Sequence, residues 1–297
     1  METVSRREFL RLAVSGAAAA GTIYLPGVGV NWRPQPLLLR GLGMGINLSM
    51  HEDARADSLA AALNVFNPRV ALHWRRWPPS AHPGFVPAAP MSEGGAAPAP
   101  MTPQEVAGFQ WALAQVGGDL STRCWLLGNE PQSTPWSPGQ YAQAMVEQVA
   151  VFRDLGLAPV IYAPNENITT PDHLAYIYEW RNEAARRGLA YTLAIHIYEH
   201  RLEMLDFAWL RFKQTVSPGE TMIVTECGAG PNRSMQEWLT VMPWFYSLLR
   251  NDPQVVALAP FSAYPHDGEP GQYPGFMSFD GEVNALGQQW LAEAAQM

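Results

Sequence analysis

Along most of the chain, short apolar runs alternate with stretches whose apolar positions recur at the helical period. The runs at 38–47, 68–74, 123–128, 158–162, 191–198, 220–225 and 255–261 predict strands. The periodic stretches at 54–66, 102–116, 137–155, 170–187, 202–215, 234–250 and 284–295 predict helices. Local chemistry supports several boundaries. Thr102 with Glu105 three residues on forms a capping-box signature. Ser137-Pro138 and Thr170-Pro171 each place a capping residue before a proline at the first helical position. Gly188 ends the fourth of these helices.

The strand candidates are continuously apolar rather than half polar, the mark of parallel strands covered on both faces. The pattern therefore predicts an α/β fold. A doubly wound sheet and a closed barrel both fit it. Seven strands and seven helices leave a barrel one unit short of eight. The gap falls between Trp74 and Arg123, where residues 78–103 are rich in proline, glycine and alanine and read as a long loop. Either a short strand hides there or the architecture is irregular around its third strand.

The chain has 297 residues, about the length of one α/β barrel, so length does not demand two domains. A net charge of −8, from 19 basic and 27 acidic residues, argues against a nucleic-acid partner, which calls for a basic face. Lys213 is the only lysine. Residues 1–30 read as a separate segment. Ser5-Arg6-Arg7-Glu8-Phe9-Leu10-Arg11 precedes an alanine-rich apolar run too short to span a bilayer, which is the layout of an export signal. It resembles the twin-arginine signal, which implies recognition by twin-arginine export machinery and a periplasmic or extracellular location, with a membrane anchor if the signal is retained. Residues 31–297 are then a single domain. Cys124 and Cys227 fall on strands expected on opposite sides of the fold, and we expect two buried free thiols.

Candidate chemistry lies where strands end, because active sites of such folds gather at the C-terminal strand ends. The run before Gly128 is followed by Asn129, Glu130 and Pro131. The run 222–225 is followed by Glu226, and 193–195 by His196 and Tyr198. Two carboxylates thus stand at two strand ends. Cleavage of a glycosidic bond needs such a pair, one protonated and one ionised.

Gly-Asn-Glu-Pro after one strand, with Thr-Glu at a later strand end, resembles the 4/7 superfamily of retaining glycoside hydrolases, and the chain is similar to its small endo-β-1,3-glucanase-like branch over roughly residues 39–290. The resemblance implies a (β/α)8 TIM barrel, a polysaccharide or oligosaccharide substrate, endo action on β-linkages and no cofactor or metal. It implies Glu130 as acid/base, Asn129 at the sugar 2-hydroxyl, Glu226 as nucleophile, and Tyr198 of His196-Ile197-Tyr198 as the group holding that nucleophile. The sequence departs from the pattern where many members carry a tryptophan after the last strand. Phe261 stands here, with Tyr264 nearby, and the arginine expected after the second strand is Arg75 or Arg76. Trp74, Trp77 and Trp136 lie in loops on the site face and offer rings either to sugars or to packing, and Asn165 after the run 158–162 is either a substrate contact or part of a plain turn. Two rival readings remain: a non-catalytic carbohydrate-binding barrel, and a metal-dependent hydrolase using His196 and His200, whose four-residue spacing suits a helix better than a strand end.

Overall fold

Strand and helix segments alternate through the structure, a computed structural model that describes residues 43–48, 56–74, 79–89, 102–117, 124–131, 136–155, 161–162, 166–169, 174–189, 191–265 and 273–297. The export-signal segment, Arg75, Arg76, Trp77, Asn165 and the Thr170-Pro171 cap lie outside the described residues. The strands are β1 (Gly45–Asn47), β2 (Val70–His73), β3 (Phe85–Ala89), β4 (Leu126–Leu127), β5 (Ile161–Tyr162), β6 (Glu166–Asn167), β7 (Leu193–Tyr198), β8 (Met222–Gly228) and β9 (Val255–Leu258). The helices are α1 (Ala56–Phe66), α2 (Pro103–Gln115), α3 (Pro138–Asp154), α4 (Leu174–Arg187), α5 (Leu202–Lys213), α6 (Met235–Asn251) and α7 (Ala285–Ala294). Three helices open on complete capping boxes: Thr102–Glu105, Ser137–Gln140 and Ser234–Glu237.

Among the described residues these strands pair in parallel, in a five-stranded sheet β1-β2-β3-β4-β5 and a four-stranded sheet β6-β7-β8-β9. The strand hidden in the proline-rich stretch is β3, so the reading of 78–103 as one loop is corrected. Its sequence, Phe-Val-Pro-Ala-Ala, is short and carries a proline, which cannot donate to a ladder. Its entry is fixed by close approach: a Cβ on Gly84 would lie 2.6 Å from the Arg69 carbonyl oxygen. Of the expected strand at 158–162 the described residues, 161–162, form β5, which pairs with β4, and a further short strand, β6, pairs with β7. The two sheets meet at the other side too. Met44 bridges Leu258 in parallel, Leu258 N donates to Gly43 O (3.3 Å), and Asn47 N donates to Pro260 O (3.1 Å).

Both sheet faces are buried, as the continuously apolar strands require. A larger cluster packs strands against helices. A smaller one joins Val70, Leu72 and Leu126 of the first sheet to Ala194, Ile223 and Ala257 of the second. Cys124 belongs to the smaller cluster and Cys227 to the larger; both are buried, and they are not bonded to each other. Near the start of β8, Arg181 of α4 donates twice to the buried Glu220 carboxylate (2.9 and 2.8 Å), and Tyr191 donates to it at 3.0 Å. Pairing and hydrogen bonding offset the cost of removing that charge from water.

Candidate active site

Three strand ends converge on one group of side chains. β4 leads into Gly128 (φ 80°) and Glu130 (φ 35°), both in left-handed conformations. Such a backbone is costly for a non-glycine residue and is found where surrounding structure dictates a side chain's aim. On β7, His196 and Tyr198 are two residues apart and share a face. An irregularity between Ile195 and His196 sets His196 opposite Glu226. Glu226 lies inside β8, which runs on to Gly228, rather than after a strand ending at Thr225.

The side chains touch. His196 Nδ1 lies 2.9 Å from Glu130 Oε1 and 3.4 Å from Glu226 Oε2. Tyr198 Oη donates to Glu226 Oε2 at 2.6 Å. Ligating atoms of Glu130, His196 and Glu226 all lie within 4.8 Å of one another. The carboxylates differ in setting: the Glu226 side chain is 8% exposed and that of Glu130 35%. Burial raises the Glu226 carboxyl above its ordinary range, and the Glu130 charge adds to this; His196 and the Tyr198 hydrogen bond pull the other way without winning. Burial alone would lower His196, but the two carboxylates outweigh it and the imidazole is raised. Tyr198 is raised by burial and then by the Glu226 charge, which keeps its hydroxyl a donor.

Two acidic groups and an imidazole this close could also hold a cation. Both carboxylates face the same ring nitrogen, Nδ1, so a proton carried there would be donated to either of them. His200 does not join the cluster; its Nδ1 lies 3.0 Å from Glu199. The pairing of His196 with His200 as metal ligands is not formed.

The remaining candidates separate. Trp74 meets the His196 ring edge-to-face at 5.9 Å. Asn129 is half-buried beside Glu130, and its buried Oδ1 has no partner among the described residues, as has His196 Nε2. Phe261 lies three residues beyond β9, 4.9 Å from the Tyr273 ring. Trp136 packs against Tyr141 of α3 at 6.1 Å, and its carbonyl accepts from Tyr176 of α4, so it is anchored among helices. Tyr264 is a correction. It is buried, stacks on Phe279 and donates to the Ser58 carbonyl of α1, so it serves packing rather than substrate. Tyr273 was not singled out in the sequence. Burial first, and then the charges of Glu226 and Glu130, raise its hydroxyl, which places it in the field of both carboxylates.

The two carboxylates thus lie close together on an α/β scaffold of parallel strands, an arrangement that suits acid–base chemistry. Residues 91–290 match the family model described as glycosyl hydrolase catalytic core, and the chain belongs to that family of glycoside hydrolases. No curated protein matches it. Among solved structures it is similar to a GH128 (subgroup VI) exo-β-1,3-glucanase from Aureobasidium namibiae, at 18% identity and TM-score 0.61, over 83% of this chain and 95% of that one. It is similar to a GH128 (subgroup I) endo-β-1,3-glucanase from Amycolatopsis mediterranei in complex with laminaripentaose, at 16% identity and TM-score 0.59, over 85% and 100%. A GH128 (subgroup VII) oligosaccharide-binding protein from Cryptococcus neoformans matches at 15% identity and TM-score 0.58, over 89% and 99%. At these identities the likeness is one of fold.

Proposed function

We propose that the protein is a retaining glycoside hydrolase acting on a β-1,3-glucan, with Glu226 as nucleophile and Glu130 as acid/base. The observation that carries this reading is the approach of the two carboxylates, whose oxygens come within 4.8 Å. Retention calls for carboxyl groups about 5–5.5 Å apart, whereas inversion leaves room for a water between them. The better-buried Glu226 would attack the anomeric carbon, aimed by the Tyr198 hydroxyl and accompanied by the His196 charge. The more exposed Glu130 would protonate the departing oxygen and then take a proton from the incoming water. Glucan as substrate rests on the glucanases of like fold. We also propose that the two sheets close into one (β/α)8 barrel, β5 and β6 together forming its fifth strand. The β9–β1 contacts and the apolar cluster shared by both sheets support that closure.

The test compares two variants. Glu226→Ala should lose activity on every substrate by several orders of magnitude. Glu130→Ala should lose polysaccharide cleavage but keep much of its first step on an activated aryl β-glycoside, where no acid is needed. Azide should then release a β-glycosyl azide from Glu130→Ala and an α-glycosyl azide from Glu226→Ala. The reverse pattern would swap the roles. Full polysaccharide cleavage by both variants would remove both residues from catalysis. A wild-type protein that binds glucan oligosaccharides without cleaving them would instead support a binding barrel.

A further inference from the structure

Tyr273 stands where three other aromatic side chains meet. Its ring lies 4.9 Å from Phe261, 6.1 Å from Tyr198 and 6.2 Å from Trp238. These partners come from three different places: the chain just beyond β9, the end of β7, and α6. Trp238 is itself pinned, because a Cβ on Gly228 of β8 would fall 2.0 Å from its ring. The indole therefore lies flush on the backbone two residues beyond Glu226.

The chain segment that carries Tyr273 is held just as closely. Phe276 N and Met277 N both donate to Ala263 O, at 3.0 and 2.9 Å. Asn284 Nδ2 donates to Gly275 O at 2.9 Å. Gly275 has φ 64°, and a Cβ there would lie 2.4 Å from Pro265 N. The return stem is thus clamped against the residues that follow β9, and Tyr273 leaves that clamp pointing at Tyr198.

We propose that Tyr273 is a positioning residue for the nucleophile: its ring braces Tyr198 so that the Tyr198 hydroxyl stays on Glu226. This rests on the assignment of Glu226 above. A phenol on a strand end can swing about its side-chain torsions. The 2.6 Å hydrogen bond to Oε2 requires one placement, and the Tyr198 ring is packed by both His196, at 6.3 Å, and Tyr273, at 6.1 Å. The groups facing Glu226 are His196 and Tyr198 from β7, Glu130 after β4, its chain neighbour Cys227, and Tyr273 itself. Of these, Tyr198 and His196 favour its ionised form, so loosening Tyr198 leaves burial and Glu130 less opposed.

The experiment uses the full-length protein with laminarin as substrate and the variants Tyr273→Ala, Tyr273→Phe, Tyr198→Phe and Tyr198→Phe/Tyr273→Ala. A hydrogen bond to a charged group is worth roughly tenfold or more in rate, so Tyr273→Ala should lower kcat by roughly that factor with KM little changed. The acidic limb of its kcat/KM profile should move to higher pH, because Glu226 must be ionised to attack. Tyr273→Phe should restore most of the loss, since the ring is the brace. The double variant should be no worse than Tyr198→Phe, because Tyr273 acts through Tyr198. Effects that add, a change confined to KM, or a Tyr273→Phe variant as impaired as Tyr273→Ala would overturn the proposal. Titration of Glu226 by carbon NMR on glutamate-labelled protein gives a readout that needs no turnover, and Tyr273→Ala should raise it. If laminarin is not cleaved by the wild-type protein but that titration still moves, the substrate assignment fails and the brace stands. A titration that does not move sinks the brace.

Discussion

Glu226 holds a carboxyl group where water scarcely reaches, and folding is weakened by it. Burial raises its pKa above the ordinary 4.5. For a group raised on folding, stability is fully present below the unfolded pKa and is lost as pH climbs through the folded one. His196 is raised above 6.5 despite burial and so acts in the same direction, its contribution present below 6.5 and lost above. Glu226→Gln removes the first cost. We predict that wild-type protein loses thermal stability as pH rises from about 4.5 upward, and that Glu226→Gln has the higher Tm at neutral pH while the two converge at low pH. Calorimetry across that range is the check, and a lower Tm for the variant at neutral pH would contradict it. The same residues show what was readable in the chain. That Glu130, Glu226, His196 and Tyr198 share one face could be read because each sits in or beside an apolar run of strand character. Tyr264 was misplaced because nearness to a strand end does not fix direction: the chain turns after Phe261 and sends that ring to α1. Tyr273 had no signal at all. It reaches the site only because the chain folds back at Gly275.

Helices were legible as elements because period and cap agree, as at Ser234, whose side chain and Glu237 form the box that starts α6. Strand β3 was not, because five residues containing a proline carry neither alternation nor length. Its existence depends on pairing with β2 and β4, which is tertiary information. The contact of β8 with α6 was equally hidden. Gly228, at φ 153°, gives Trp238 a flat seat, and the added methyl of Gly228→Ala would meet the indole at 2.0 Å. Overpacking of this kind costs about 1–3 kcal/mol, and the strained φ adds to it. We therefore expect Gly228→Ala to unfold at markedly lower denaturant. Gly139→Ala, in α3 with nothing within 4 Å of the added carbon, should not be destabilised. Equal midpoints for the two variants would show that the β8–α6 seat is not tight.

Across the whole molecule, β1 is the element through which the two sheets meet, and it is squeezed on both sides. A Cβ on Gly45 would lie 2.7 Å from Val70 O of β2 and 3.0 Å from Leu258 O of β9. Asn47, fully buried, donates its amide to Pro260 O and its side chain to Thr225 O, and accepts from Ala263 N at 2.6 Å. The last helix locks this seam from outside: Trp290 of α7 donates its indole N–H to Gly45 O at 2.9 Å and packs edge-to-face on Phe66 of α1. Replacing Trp290 by Phe keeps an aromatic ring but deletes that donor, a loss of about 1–3 kcal/mol for a buried acceptor. If β1 joins the sheets into one closed barrel, the damage will not stay in α7. The amides of Asn47, Leu258 and Ala263, which belong to different segments, should lose hydrogen-exchange protection together, because all three cross the same seam. Faster exchange confined to residues 285–294, with those three amides unchanged, would mean that the sheets hold together without β1 and that the closure is not the cooperative unit argued for it.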